Sequence, residues 1–390
     1  MQSRLRKIFT RLELLLAGGH GALLKMFYFI LKYIIAFSST IIPTVRRALL
    51  DPLVEVRQSA AKTFENLHSS IGTQALDEIL PYLLNVMQKD AIPNGDQNNK
   101  EDEQEREETE RDFALDALQR IMQLKSRVVL PYLVPHLIQP PVDIKALASL
   151  TLVAGDALAR HLSRIIQAVI THIADEKDPQ AKQQHLFYAE QLLAAINDPD
   201  GVQLVIRESQ DFSRSQKVNI RLVTITLLSS FCKKAKGTYQ DSIDDLIRIC
   251  INLLNDDNEQ VLNTAWDCID TIIKDMDQLE LQKRLPVVRQ ALRSAQSNSR
   301  ERGRLFGLCL PKKGIGCIIP IYKECILNGP PELRESGANG LNEAINLSDA
   351  EALKPSIMNV TGPLIRVLGE RFSTDIKVAI LETLSTFMAK

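Results

Sequence analysis

Leu80-Pro81-Tyr82-Leu83 and Leu130-Pro131-Tyr132-Leu133 write one tetrapeptide twice, each time inside an apolar stretch of helical period and each time ahead of a second helical segment. Repetition of this kind marks stacked helical hairpins. Just upstream, Ile42-Pro43 is followed by Asp51-Pro52-Leu53-Val54-Glu55-Val56-Arg57 and the small-residue run Ser59-Ala60-Ala61, which supplies the other half of the pattern. Proline early in a helix sacrifices no hydrogen bond, and further inside it bends the axis. Pro43, Pro81, Pro131, Pro320 and Pro363 are therefore expected in the outer, bent helices. Asp51 can accept from the free amides that open the next helix, with Pro52 pre-set at its first position, so the turn is short and strongly specified. The alanines after it let the two helices of a hairpin pack closely.

Such turns recur at Asp51, near Asp112, and at Val142, Asp178, Ser213, Asp256, Pro330 and Ser373, with most separations near the roughly 40-residue period of HEAT-type or armadillo-type arrays. Asp256 to Pro330 is about two periods, which predicts one degenerate unit in that interval. The predicted fold is all-α: a HEAT- or armadillo-type α-solenoid of about eight to nine helical hairpins over residues 38–390. Ile243, Leu246, Ile247, Cys250, Leu253 and Leu254 recur at steps of three and four, as an inward helical stripe requires, and Val261 to Ile273 reads as the matching partner. Composition agrees. With 45% apolar, 24% charged and only 5% aromatic residues, the chain suits Leu/Ile/Ala helix packing and is poor for a sheet-rich core. Six cysteines fall in or beside apolar stripes without regular spacing, which predicts reduced, buried thiols of a cytosolic protein. A net charge of −1 leaves any binding charge to be local.

Residues 1–37 do not fit the repeat. Basic Arg4, Arg6, Lys7 and Arg11 precede a glycine cluster, and Ala22 to Ile42 is apolar apart from Lys25 and Lys32. Those two lysines argue for an irregular or amphipathic lead-in helix and against a membrane span, since a charge at mid-membrane costs about 2.5 to 3.5 kcal/mol. Residues 90–112 read as an acidic, solvated insertion, disordered because its low hydrophobicity and like charges do not offset ordering entropy. Residues 295–304, rich in Ser, Asn and Arg, read as a loop.

The chemistry of catalysis is not proposed by any constellation in the chain. None of the six histidines falls in a His-Glu-x-x-His motif, and His161 and His172, eleven apart on one helix, read as surface histidines without a flanking carboxylate pair. Cys309 and Cys317 lack the Cys-x-x-Cys doublets of structural zinc. Gly307 to Gly316, with Lys312-Lys313-Gly314 at its centre, looks like a phosphate loop but places Pro311 where an amide would have to point at phosphate. We therefore expect no enzyme, no metal, no cofactor and no small-molecule substrate. What remains is local positive charge at Arg46, Arg47, Lys233, Lys234, Lys312, Lys313, Arg366, Arg371 and Lys377, which would contact phosphates if the clusters lined one ridge. Arg57, directly after its turn, is instead expected to brace adjacent repeats through carboxylates.

Several strings resemble a known family. Asp51 to Arg57 with Ala60-Ala61-Lys62-Thr63-Phe64-Glu65, Lys125 to Pro135, Val153 to Leu158, Cys309-Leu310-Pro311-Lys312-Lys313-Gly314, Thr361 to Arg366, Arg371-Phe372-Ser373 and Leu381 to Leu384 are similar to the giant HEAT-repeat translational activators of general amino-acid control. The resemblance runs from about Ile35 to Lys390 and implies a fragment from the C-terminal half of such a protein. It implies a cytoplasmic, non-catalytic scaffold that rides on ribosomes. When uncharged tRNA accumulates, that scaffold helps activate the kinase that phosphorylates translation initiation factor two alpha. The implied partners are the kinase, through its RWD domain, and the ribosome, through rRNA and ribosomal proteins. A generic HEAT-repeat adaptor, such as a transport-receptor-like or phosphatase-scaffold protein that binds a cargo peptide, is the alternative.

Overall fold

In the computed structural model, the described residues are 40–88, 100–235, 238–298 and 304–390. All regular structure among them is helical: α1 (40–49), α2 (Val54–Ile71), α3 (Thr73–Gln88), α4 (Lys100–Leu137), α5 (Ile144–Ala154), α6 (Ala159–Asp175), α7 (Pro179–Ala194), α8 (Pro199–Ser213), α9 (Val218–Lys234), α10 (Ile243–Leu253), α11 (Glu259–Lys274), α12 (Gln278–Ser297), α13 (Ile319–Asn328), α14 (Pro331–Asn346), the single turn α15 (Ala350–Leu353), α16 (Ile357–Leu368) and α17 (Thr374–Ala389). The predicted all-α class is the observed one. The described chain divides into two compact units, one reaching to Gln139 together with Ser149–Leu158, the other Pro140–Ala148 together with Ala159–Lys390.

In the first unit α2 packs on α3 and on α4, and α3 packs on α4. Lys125, at φ −142° and ψ 44°, breaks α4 between its halves. This break separates a second helix from the next first helix without any loop. Phe64 of α2 and Leu118, Ile121 and Met122 of α4 are wholly buried, and burial on that scale contributes about 1.5 to 3 kcal/mol for each large side chain.

The expected acidic insertion is corrected here. Residues 89–99 lie outside the described residues, but Lys100 to Asp112 open α4 as helix, and Asp112 is inside that helix, not at a turn. Glu, Gln, Lys and Arg are good helix formers, and basic residues are interspersed among the acids. The expected lead-in, residues 1–37, lies outside the described residues. The expected 295–304 loop is helical through Ser297, and residues 299–303 lie outside the described residues.

In the second unit two layers run side by side. First helices α6, α8, α10 and α12 pack on their successors, as do second helices α7, α9 and α11, and α13–α14 and α16–α17 continue the layers. The short turns between first and second helices carry their own caps. Asp178 accepts from the amides of Gln180 and Ala181, and Asn258 accepts from Gln260 and Val261; such caps contribute about 1 kcal/mol each. Pro43, Pro81, Pro131, Pro320 and Pro363 all lie in first helices, and Pro286 in α12 joins them.

The degenerate unit predicted between Asp256 and Pro330 is the pair opened by α12. Its second helix is replaced by residues 304–317, which form two short 3-10 turns, Phe306–Cys309 and Gly314–Cys317, lying against α11. Leu305, Leu308, Ile315 and Cys317 fill the place of a helical stripe.

Candidate partner-binding surface

Three second helices carry an arginine as their fourth residue, and the structure shows what it does. Arg221 on α9 donates from Nη1 to the turn carbonyls of Ser215 (2.8 Å) and Gln216 (3.1 Å). Its Nε and Nη2 form a bidentate pair with Asp256 Oδ2 (2.5 Å) and Oδ1 (2.9 Å) of the next turn. The hydrogen bond it donates to Asp256 pushes the Arg221 guanidinium above its ordinary value. Asp256 Oδ1 also accepts from the Asn258 amide at 2.9 Å, so one buried carboxylate ties its own turn to the preceding pair. Arg57 on α2 repeats this, donating to the carbonyls of Asp51 (2.7 Å) and Pro52 (3.0 Å) and to Asp116 Oδ2 at 2.6 Å. Burial raises the Asp116 carboxyl, but hydrogen bonds from Arg120 and Arg57 outweigh it and hold it below its ordinary value. Arg334 on α14 donates to the carbonyls of Gly329 and Ile326 and lies over the Phe372 ring, 4.4 Å from its centre. These arginines are internal rungs, as the position of Arg57 after its turn predicts.

Of the nine cations singled out from sequence, several are held by their own chain. Arg46 donates to the Glu78 carbonyl and lies over Tyr82. Lys234 reaches Glu190 at 2.8 Å. Arg366 pairs with Glu370 at 3.6 Å, one turn on. Lys313 is held most firmly: its ammonium is 2.7 Å from Asp267 Oδ1 and sits over the Trp266 ring. The cause is Gly314, whose carbonyl accepts from Trp266 Nε1 at 2.8 Å and folds the segment onto α11. Arg47, Lys233, Lys312 and Arg371 are exposed, and Lys377 is half-buried.

The clusters of the second unit are not gathered on one ridge. Lys233 and Lys234 end a second helix, at the edge where one pair connects to the next. Arg371 lies in the turn between α16 and α17, at the opposite edge, with Arg366 and Lys377 in the adjoining helical turns.

What sequence reasoning missed is a groove across the second helices α7, α9 and α11. It has a volume of about 450 Å³ and is lined by Lys182, Leu186, Leu222, Thr226, Glu259 and Asn263. Phe187, on the same helix as Leu186, is 54% exposed. The signal was hidden because the lining residues come from three repeats, at positions that read as solvated helix faces. Catalytic furniture is sparse: burial pushes Cys325 up to about 12 and raises Cys317, which keeps these thiols protonated and inert. Five of the six cysteines are buried and all six are free. Among the described residues, no helix is long and apolar enough to cross a membrane.

Paired helices with braced, capped turns define a HEAT-type α-solenoid. The chain belongs to the GCN1-like HEAT-repeat family: residues 129–312 match the family described as stalled ribosome sensor GCN1-like HEAT repeats. It is 40% identical over 357 residues to the human stalled ribosome sensor GCN1, covering 92% of this chain and 13% of that protein. The eIF-2-alpha kinase activator GCN1 of Saccharomyces cerevisiae is 32% identical over 91% of this chain and 13% of its own length. The chain thus spans about an eighth of these relatives. Among solved structures, the karyopherin Kap121p bound to the SUMO protease Ulp1p aligns over 93% of this chain and 35% of its own at 13% identity, with a TM-score of 0.42.

Proposed function

We propose that this chain is a non-catalytic scaffold segment that contributes to ribosome association and to activation of the kinase that phosphorylates translation initiation factor two alpha, in the cytoplasm. The observation that carries the reading is its continuous relatedness, over 92% of its length, to a protein whose name is that of a stalled ribosome sensor. The yeast relative, named as a kinase activator, supports the second half. The mechanism is proximity: an array that engages two partners raises their effective concentration without any bond-making residue. In this reading the exposed cations Arg47, Lys233, Lys312 and Arg371 are available to phosphates or acidic partner residues. Arg46, Lys234, Lys313, Arg366 and Lys377 support the same surfaces. The RWD domain of the kinase and ribosomal RNA are the finer partners proposed.

The test is a pull-down of the chain with the isolated RWD domain, together with polysome cosedimentation, each at low and high salt. Retention of either partner that weakens with salt, and that weakens again when Lys312 and Arg371 are changed to Glu, is the expected result. No retention of either by a helical sample overturns the proposal.

A further inference from the structure

Lys177 is the middle of a three-residue turn that folds α7 back on α6, and the turn gathers two imidazoles and a carboxylate. His172 lies in the last turn of α6, and Glu176, the first residue of the turn, donates its amide back to the His172 carbonyl at 3.1 Å. By sequence the neighbour of His172 is His161; in the fold it is His185 of α7, with ring centres 5.0 Å apart. One ligand-type atom from each of His172, Glu176 and His185 lies within 4.8 Å of the other two.

Two further observations point to a ligand. His185 Nδ1 is buried and has no hydrogen-bond partner, 4.0 Å from Glu176 Oε2. A buried polar atom left unpaired is destabilising, and a bound cation would relieve it. Glu176 Oε1 accepts from the amides of Lys177 (2.8 Å) and Asp178 (3.0 Å). The turn therefore fixes the carboxylate and leaves Oε2 facing the histidines, an arrangement that orients metal ligands from behind.

We propose that His172, Glu176 and His185 form a binding site for a divalent transition cation of the imidazole-preferring class, with Zn²⁺ as its representative. Two neutral imidazoles and one carboxylate are a recurrent three-ligand set for that ion, leaving a fourth position to water. Bonds of about 2.0 to 2.2 Å require ligand atoms roughly 3.3 Å apart. Rotation of the half-buried side chains would have to bring these atoms, now within 4.8 Å of one another, up to about 1.5 Å closer. Burial and the neighbouring His172 lower the His185 pKa, opposed by Glu176 and Asp143. The amides of Asp178 and Lys177 hold Glu176 below its ordinary value. A metal here would pin the α6–α7 turn from both helices.

The intact chain, stripped of metal with a chelator, is titrated with Zn²⁺ by calorimetry and with Co²⁺ by absorption spectroscopy. One equivalent bound per chain, with tetrahedral-type Co²⁺ bands, is expected. His172→Gln and His185→Gln should each weaken binding about a hundredfold, and Glu176→Gln at least tenfold, while His161→Gln leaves it unchanged. Because a substitution can disturb folding, circular dichroism accompanies each variant. In the unaltered chain, Zn²⁺ should shift the imidazole resonances of His172 and His185 and leave that of His161 in place. Absence of one-equivalent binding by the helical chain, or binding that leaves those two resonances unmoved, overturns the site.

Discussion

The pair α10–α11 and the pair opened by α12 hold successive places in the second unit, yet only the first has a helix in its second layer. In α10–α11, Asp256 and Asn258 cap the turn, and Arg221 from the preceding pair ties it down. In the next place, residues 304–317 satisfy the same demands without a helix. The Leu305 amide donates to the Leu347 carbonyl, the Gly307 amide to the Leu254 carbonyl, and Trp266 to the Gly314 carbonyl. A position in a stacked array thus needs buried apolar side chains and satisfied backbone groups, and a helix is only the commonest way to supply both.

Arg221→Ala leaves Asp256, only 4% exposed at its side chain, buried and uncompensated, and should cost about 3 to 4 kcal/mol in urea unfolding followed by circular dichroism. Arg57→Ala should cost less, because Asp116 keeps Arg120 at 3.0 Å. Equal losses at the two rungs would sink the claim that the next turn depends on one arginine.

On the irregular side, Gly314 has φ +48°, and an added Cβ would meet the Ala352 carbonyl oxygen at 2.1 Å. Gly314→Ala should therefore cost about 3 kcal/mol. The single tryptophan lies under this segment, so its fluorescence reports the loss directly. Trp266→Phe keeps the ring packing but removes the indole donor, and should cost about 1 kcal/mol by the same unfolding assay followed by circular dichroism.

The smallest effect is pH-dependent. Burial raises the Glu343 carboxyl, but Arg289 and Arg293, at 2.7 and 2.6 Å, outweigh it and hold it below the ordinary value of 4.5. Its contribution is present above pH 4.5 and is lost as pH falls through the depressed folded value. Glu343→Gln should flatten that acid limb of stability and leave its slope near pH 7 unchanged.

Much of the fold was legible because it is local. Leu80-Pro81-Tyr82-Leu83, Asp51-Pro52 and the stripe from Ile243 to Leu254 each signal a helix, a cap or a face within a dozen residues. Even the missing helix after α12 was visible as a doubled turn spacing. Residues 100–112 misled because acidic composition describes a solvated helix as well as it describes a loop. The basic residues were legible as residues but not as a surface: nothing around Lys313 in sequence announces Asp267, 46 positions away.

Sequence by itself determined the class of the array, the places of most turns and the kinship with GCN1-like repeats, because caps, prolines and helical stripes act over a single turn or hairpin. Only the tertiary structure decided which cations are held by their own chain, that three helices share a groove, and that His172 meets His185 across the α6–α7 turn. These are contacts between neighbouring helices or neighbouring repeats, and their geometry exists only once one helix is laid against the next.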